Sequence, residues 1–404
     1  MKKIAVFGIK TYPAFAGADR VVENILHNLD GHKGDYHFFV YLVKGRERLA
    51  DLPNRHFIYI PAFKGKHLHA FSFFFLCTLH MLFVRRYDLI HAHKSDTGFF
   101  TLLLCLRYAG KILGTFHGDP YKDAKWGAFA KRSLKVSEHL FIRSCSKLTS
   151  VSPVKTVAGR RVLFVPNGLE QIDPGLFRSY KNKSINYRAL ALGKKQYLLF
   201  AAGRLDKIKG LHHLIDAYEK GYIREPLLII SDFSHDRVYG EAMERRIRNL
   251  KHPGIVLIKK LLPKNDLFDV MMNAQMVVCP SEIEAMSMIV LEVLACSTLL
   301  VCSDIESNKV ILGTDYKYLF RSKDADSLLA AVQAASADWK RGQIQEFLQK
   351  RFEIQQRFDW KKIAETYLQI YDALFARSAH KTKSRNSECA PVMVDGQRSK
   401  AFEF

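Results

Sequence analysis

Short apolar runs alternate with amphipathic stretches along most of this chain. In the first half, β-branched and aromatic runs at Ile4–Gly8, His37–Leu42, Phe57–Ile60, Leu89–His91, Ile112–Thr115, Leu148–Val151 and Val162–Val165 read as strands. Apolar residues at helical spacing fill the gaps near 18–29, 68–85, 97–108 and 127–144. Such alternation predicts βαβ units and a parallel sheet. Between Glu170 and Lys195 the pattern dissolves into a polar, charged stretch that reads as a linker. Alternation then restarts, with strands at Tyr197–Ala202, Leu227–Ser231, Ile255–Ile258, Met276–Cys279 and Leu299–Cys302. Helices near 210–219, 237–249, 264–272, 325–336 and 341–351 accompany them. The expected architecture is α/β, with two doubly wound Rossmann-like domains over 1–175 and 190–355 and a cleft between them. A last amphipathic helix opens at Phe358-Asp359-Trp360 and occupies 356–376. Residues 377–404 are polar, basic and unpatterned, and are expected to be disordered.

A length of 404 residues suffices for two full cores. Seven cysteines form no C-x-x-C pair and sit mostly in apolar segments, which points to buried thiols and no zinc site. Met1-Lys2-Lys3 runs straight into an apolar strand, so no signal peptide is expected and the location reads as cytoplasmic. The formal charge of +22 is uneven: residues 1–170 hold 26 Lys and Arg against 12 Asp and Glu. A basic first half suits nucleic acid, an acidic lipid surface or a phosphate-bearing substrate, although simple solubility is an open alternative. The most apolar segment, Ala70 to Val84, is too short to span a bilayer. It reads as a buried helix, or as one that also presents Phe73 to Phe75 to a membrane surface.

Candidate chemistry lies where strands end. Glu284 and Glu292 stand eight positions apart, across a short loop and the first turns of an apolar helix that follow strand Met276–Cys279. A helix start there offers free N–H groups and partial positive charge to a phosphate, while two acids can hold sugar hydroxyls. That combination suits a nucleotide-sugar. Arg204 and Lys209 leave the end of strand Tyr197–Ala202 within five residues of each other. A guanidinium fork and an ammonium suit a diphosphate, or form a solvated charge cluster. Gly8 to Gly17 joins the first strand to its helix, but it is not G-x-G-x-x-G, which argues against a nicotinamide or flavin dehydrogenase. His117 follows Gly114-Thr115-Phe116, where it could touch a sugar or serve structure alone. His91 and His93 share a face without a third ligand, so no metal is expected. Trp126 to Lys135 starts a basic helix that could guide a phosphate-bearing or membrane-bound acceptor. Neither a nucleophilic serine setting nor a nucleic-acid module emerges.

In this order, Gly17, Thr115-Phe116-His117-Gly118, Lys125-Trp126-Gly127, Pro166-Asn167-Gly168, Gly203-Arg204-Leu205…Lys209-Gly210 and Pro280-Ser281-Glu282…Glu284…Glu292 resemble the group 1 glycosyltransferases. These are family 4 retaining enzymes of GT-B fold, and the resemblance covers about residues 1–376. Pro280 to Ser287 and Ser303-Asp304-Ile305 are most similar to bacterial polysaccharide-assembly enzymes, including rhamnosyltransferase-like ones. The resemblance implies a nucleotide-sugar donor on the second domain and a lipid-linked or oligosaccharide acceptor on the first. It implies that Arg204 and Lys209 hold the diphosphate, Glu292 the ribose, and Glu284 the transferred sugar. Ala285, Met286 and Ser287 would meet sugar and phosphate through their backbone, and Gly17 would approach the diphosphate from the facing domain. His117 would contact the sugar near the reaction centre, and the last helix would cross back to the first domain. It further implies retention without a metal or cofactor, at the inner face of an anionic membrane.

Two departures stand out. The family usually has glycine where Ala16 and Ala285 stand, and after Ile305 this chain reads Glu306-Ser307-Asn308-Lys309 in place of a glycine-rich turn and a glutamate. The alternative to an enzyme is therefore an inactive, nucleotide-sugar-binding partner subunit. An epimerase, or a protein that binds a membrane or nucleic acid by charge alone, is a weaker one.

Overall fold

In the computed structural model, two parallel sheets each carry helices on both faces. The structure describes residues 1–12, 17–30, 36–45, 48–65, 68–118, 127–153, 156–172, 177, 180–221, 223–250, 252 and 254–386. The first sheet is built from β1 (Lys2–Phe7), β2 (Tyr36–Val43), β3 (Arg55–Ile60), β4 (Leu89–His93), β5 (Ile112–Phe116), β6 (Lys147–Ser150) and a short β9 (Leu163–Phe164). Its order is β3-β2-β1-β4-β5-β6-β9. Side chains alternate between its faces, as the two-residue period of a strand requires. Ala5, Phe7, Phe39 and Tyr41 pack under α2 (Leu68–Leu79), α3 (Gly98–Tyr108) and α4 (Ala128–Ser144). Ile4, Val6, Phe38 and Val40 pack under α1 (Gly17–Asn28) and the returning C-terminal helix. Both faces are covered, which is why these strands read as unbroken apolar runs.

The second sheet contains β10 (Leu198–Arg204), β11 (Leu227–Asp232), β12 (Ile255–Ile258), β13 (Met276–Cys279), β14 (Leu299–Ser303) and β15 (Leu319–Phe320), ordered β12-β11-β10-β13-β14-β15. Around it lie α5 (Leu211–Glu219), α6 (Arg237–Asn249), α7 (Lys264–Asn273), α8 (Met288–Ala295), α9 (Glu306–Leu312), α10 (Ala325–Lys340) and α11 (Gln345–Arg357). The last helix, α12 (Trp360–Asn386), packs Ile363, Tyr367 and Tyr371 back onto the first sheet. Its entry is fixed by Trp360, whose ring lies where a Cβ on Gly168 would come within 2.4 Å of it. Strand order reverses between β1 and β4 in one sheet and between β10 and β13 in the other. Ligands of doubly wound folds bind at the carboxyl ends of strands at such reversals.

Several expectations change. Ala70–Val84 is α2 plus a single π turn, His80–Val84, and Phe73 and Phe74 point into the core. The outward residues are Phe71, Phe75 and Phe83, because the phase of the helix sends only one position in three or four to solvent. The polar stretch after Glu170 has little regular structure, yet it is held to α7: Tyr180 donates to Asp266 at 2.7 Å and Tyr187 to Asp269 at 2.6 Å. α12 continues to Asn386 where the sequence pattern predicted an end near 376; residues 387–404 lie outside the described residues. The hairpin β7–β8 (Thr156–Val157 and Arg160–Arg161), α9 and β15 were not expected from the pattern.

Candidate functional site at the facing strand ends

The reversal in the second sheet gathers the two cationic and acidic motifs. A turn of 3-10 helix, Lys207–Lys209, follows β10 and closes on Gly210 at φ +71°. A Cβ at Gly210 would fall 1.9 Å from the carbonyl oxygen of Pro280, so glycine lets this loop lie directly on the loop after β13. The Glu282 amide donates to the Ile208 carbonyl at 2.7 Å, which stitches the two together. Lys209 Nζ then meets Glu284 Oε1 at 2.6 Å, and Ser281 Oγ donates to the same oxygen at 3.0 Å. Burial pulls the Lys209 ammonium down, but the charge and hydrogen bond of Glu284 together with Asp206 outweigh it and leave it above the usual lysine range. Arg204 lies exposed at the end of β10, close enough to oppose the Lys209 charge. The buried thiol of Cys279 feels Glu284, Lys209 and Glu292 together, which puts all three around the end of β13.

Ser287 precedes α8 and is buried, and its side chain does not cap the helix. The first N–H groups of α8 thus have no side-chain cap from Ser287. The loop Ala285–Ser287 leans against the first sheet: Ser152 Oγ donates to the Ala285 carbonyl at 2.9 Å, and the Asn167 amide to Met286 Sδ at 3.0 Å. Gly118 approaches so closely that a Cβ on it would sit 3.0 Å from the Ala285 methyl. Ala285 itself is absent from the left-handed residues of the chain, so an alanine here carries no backbone strain.

The facing wall comes from the reversal in the first sheet. Gly8 (φ +100°) allows the β1 loop to pass the His93 carbonyl, which a Cβ would meet at 2.0 Å. Gly17 opens α1 with no atom of the described residues within 4 Å of where its Cβ would point. Two residues later, buried Asp19 accepts from the Thr11 amide at 3.2 Å and hydroxyl at 2.9 Å and pairs with Lys94 at 3.2 Å. Lys94 holds a left-handed φ of 71°, an uncommon conformation for lysine that turns the chain after β4. Arg20, the next residue, reaches across to Glu292 at 2.6 Å, though off the hydrogen-bonding axis of Oε1, and lies 3.9 Å from Glu170. Burial raises the Glu292 carboxyl, and Arg20 works against that rise. Asp19, Arg20, Lys94 and Glu170 were not singled out in the sequence; their signal is a charged pair directly after Gly17 in an otherwise apolar helix face. Ala16, Lys125 and Trp126 lie outside the described residues.

His117 sits beside this wall, its Nε2 3.0 Å from His93 Nδ1. Burial, reinforced by Lys94 and opposed by Asp19, pushes His117 down to about 3. His91 is likewise pushed to about 3, chiefly by burial, and both its nitrogens are engaged, by Tyr371 and Thr115. His93 lies well below the ordinary range for the same reason. All three imidazoles are neutral at physiological pH, so they can share hydrogen bonds but carry no charge. At His91 and His117 the unfolded chain binds protons below pH 6.5 and the folded chain does so only near 3. Their contribution to stability is therefore intact above pH 6.5 and falls as pH drops from 6.5 to 3, by up to about 1.4 kcal/mol per pH unit for each of these two, and the lowered His93 acts in the same direction. Urea midpoints measured at pH 7, 5 and 4 should decline accordingly; equal midpoints would contradict neutral, buried rings.

Among the described residues one group has the composition of a metal centre. His212 Nε2 and His213 Nε2 lie 3.4 and 3.0 Å from Glu282 Oε1, but Lys323 already faces the other Glu282 oxygen at 3.3 Å. That carboxylate has its cation.

Residues 182–351 match the family "Glycosyl transferases group 1" and residues 15–156 match "Glycosyltransferase Family 4". The chain belongs to the group 1 glycosyltransferases and has the GT-B fold. Among curated proteins it is 25% identical over 178 residues to alpha-maltose-1-phosphate synthase of Mycolicibacterium smegmatis, across 42% of this chain and 46% of that protein. The match therefore spans about half of that relative's length. It is 23% identical to an uncharacterized glycosyltransferase of Methanocaldococcus jannaschii, across 72% and 77% of the two chains. Among solved structures, sucrose-phosphate synthase of Thermosynechococcus elongatus superposes with a TM-score of 0.77 at 19% identity, over 93% of this chain and all of the other. Anabaena HepE in complex with UDP and glucose superposes at 0.71 and 15% identity, over 92% of this chain and all of HepE. These structural likenesses carry the fold of this glycosyltransferase.

Proposed function

We propose that this glycosyltransferase moves a hexosyl group from a nucleoside-diphosphate sugar to a lipid-linked or oligosaccharide acceptor in surface polysaccharide assembly, with retention at the anomeric carbon. One observation carries the reading: Lys209, bonded to Glu284, stands with exposed Arg204 at the strand reversal, beside the start of α8. In this reading Arg204, Lys209 and the backbone of Ala285, Met286 and Ser287 hold the diphosphate, and Gly17 closes on it from the facing sheet. Glu284 orients the sugar while it holds Lys209, Glu292 takes the ribose, and His117 offers a neutral hydrogen bond near the anomeric carbon. We place the acceptor on the unit spanning 1–175 and the donor on that spanning 190–355. When the bond from the anomeric carbon to the phosphate oxygen breaks, negative charge grows on the leaving diphosphate. The two cations and the helix start stabilise it, the kind of preorganised field that supplies the largest single share of many rate enhancements. The acceptor hydroxyl forms the new bond on the same face and gives its proton to the departing phosphate oxygen. The neighbour HepE was solved with UDP and glucose, which supports a nucleotide-sugar as the donor class.

The inactive-subunit alternative rests on Ala16 and Ala285 in place of the family's glycines, and Ala16 lies outside the described residues. Ala285 does not take a positive φ, so its backbone does not require glycine; what its added methyl does beside sugar and phosphate is read by the transfer assay. Purified protein, a matched nucleotide-sugar and a lipid extract should yield a glycolipid whose anomeric proton coupling matches the donor's configuration. An inverted product, or donor hydrolysis that no acceptor accelerates, would overturn the proposal.

A further inference from the structure

The layer formed by α2, α3 and α4 covers one face of the first sheet and presents a second apolar surface outwards. Its inward residues, among them Phe73, Phe74, Leu104 and Phe141, are fully buried. On α2 and α3 the outward residues are apolar too, and the start of the basic helix α4 adds one exposed ring. On α3, Phe99, Leu102, Leu103 and Leu106 recur at positions i, i+3, i+4 and i+7, the spacing of one helical stripe, and Leu106 is 81% exposed. α2 repeats the pattern with Phe71 and Phe75, whose rings stack at 6.2 Å, and the π turn adds Phe83 at 77% exposure. On α4, Phe129 is 88% exposed. The Phe71 ring also contacts Phe100 of α3 at 5.5 Å, so the α2 and α3 stripes adjoin. Scattered surface apolar residues need no explanation, but adjoining stripes on successive helices do.

Charge decides what covers this surface. Residues 68–86, 98–108 and 127–145 carry seven lysines and arginines against one acid, Glu138. A second copy would bring the same positive charge face to face and be repelled. An anionic headgroup layer would be attracted by it, while the apolar stripes enter the acyl boundary. Among the described residues no helix is long and apolar enough to cross a membrane, so the geometry is that of a protein lying on one.

We propose that the outward face of α2, α3 and α4 docks this enzyme on an anionic bilayer surface. This deepens the functional reading, because the same unit is assigned the lipid-linked acceptor, but vesicle binding requires neither donor nor transfer. Flotation with vesicles of phosphatidylglycerol and phosphatidylethanolamine should carry wild-type protein upwards, less so as salt rises, because screening weakens the attraction. The triple variant Phe83→Glu, Leu106→Glu, Phe129→Glu should bind at least about tenfold more weakly, since each buried side chain contributes about 1.5–3 kcal/mol and 1.4 kcal/mol is tenfold. Arg86→Glu with Arg132→Glu should also lose flotation, and nucleotide binding and thermal unfolding report that both variants are folded. Wild-type protein that stays at the bottom of the gradient, or a triple variant that floats equally well, would overturn the proposal. So would a dimer in light scattering that the triple variant abolishes while no flotation occurs. If vesicles bind and no nucleotide-sugar does, the donor reading fails and the docking face stands.

Discussion

Replacing Lys209 by alanine should lower kcat by about 10²- to 10³-fold, the range found when one preorganised donor to a developing anion is removed. Lys209 and Glu284 form the short contact within the four central charges, at 2.6 Å. In the proposed reading the loss of Lys209 removes positive charge from the departing diphosphate, and it also frees Glu284, which among the described residues keeps the Ser281 hydroxyl. Arg204→Ala should cost a similar factor with less disturbance, because the guanidinium lies exposed at the end of its strand. Glu284→Ala should abolish transfer while nucleotide alone still binds, since this carboxylate is assigned to the sugar. Single-turnover rates with saturating donor distinguish these outcomes. Near-full turnover in Lys209→Ala would remove the basis for the assignment.

Gly210→Ala should damage the site and the fold together. A left-handed φ costs a non-glycine residue about 1–3 kcal/mol, and here the new methyl would also lie 1.9 Å from a backbone oxygen that no rotamer change can move. The loops after β10 and β13 must separate, and with them the Glu282 to Ile208 bond and the Lys209–Glu284 pair. The expected result is a clear fall in Tm accompanied by loss of nucleotide binding. Gly203→Ala is the matched control: among the described residues its Cβ would meet nothing within 4 Å, so Tm should hold. Equal melting of the Gly210 variant and wild type would show that the two loops are not in contact.

Much of this was legible from the chain because both faces of each sheet are covered, which writes strands as apolar runs and helices as amphipathic ones. β11, β12 and β13 begin and end within a residue of their patterns for that reason. Two-residue strands were legible only inside a longer apolar run: β9 lies within Val162–Val165, whereas β7, β8 and β15 lie in no run of that length. The cationic and acidic motifs were legible because each follows a strand end and is local in sequence. The facing wall was not, because its contacts join distant positions. Asp19 and Lys94 are 75 residues apart, and Arg20 meets Glu292 from the other half of the chain. Nothing in a lysine announces the left-handed backbone that aims Lys94 inward. The outward apolar surface shows the same limit: three successive phenylalanines at 73–75 look alike until the helix start at Leu68 sets their phase.

The central claim is that a nucleoside diphosphate occupies the space between Arg204, Lys209 and the start of α8. Calorimetric titration of wild-type protein and the Arg204→Ala, Lys209→Ala double variant with UDP-, GDP-, dTDP- and CMP-sugars tests it most directly. One diphosphate sugar should bind wild type at a single site, the monophosphate CMP-sugar should not, and the folded double variant should lose that binding. Undiminished binding to the double variant would place the donor elsewhere and contradict the account.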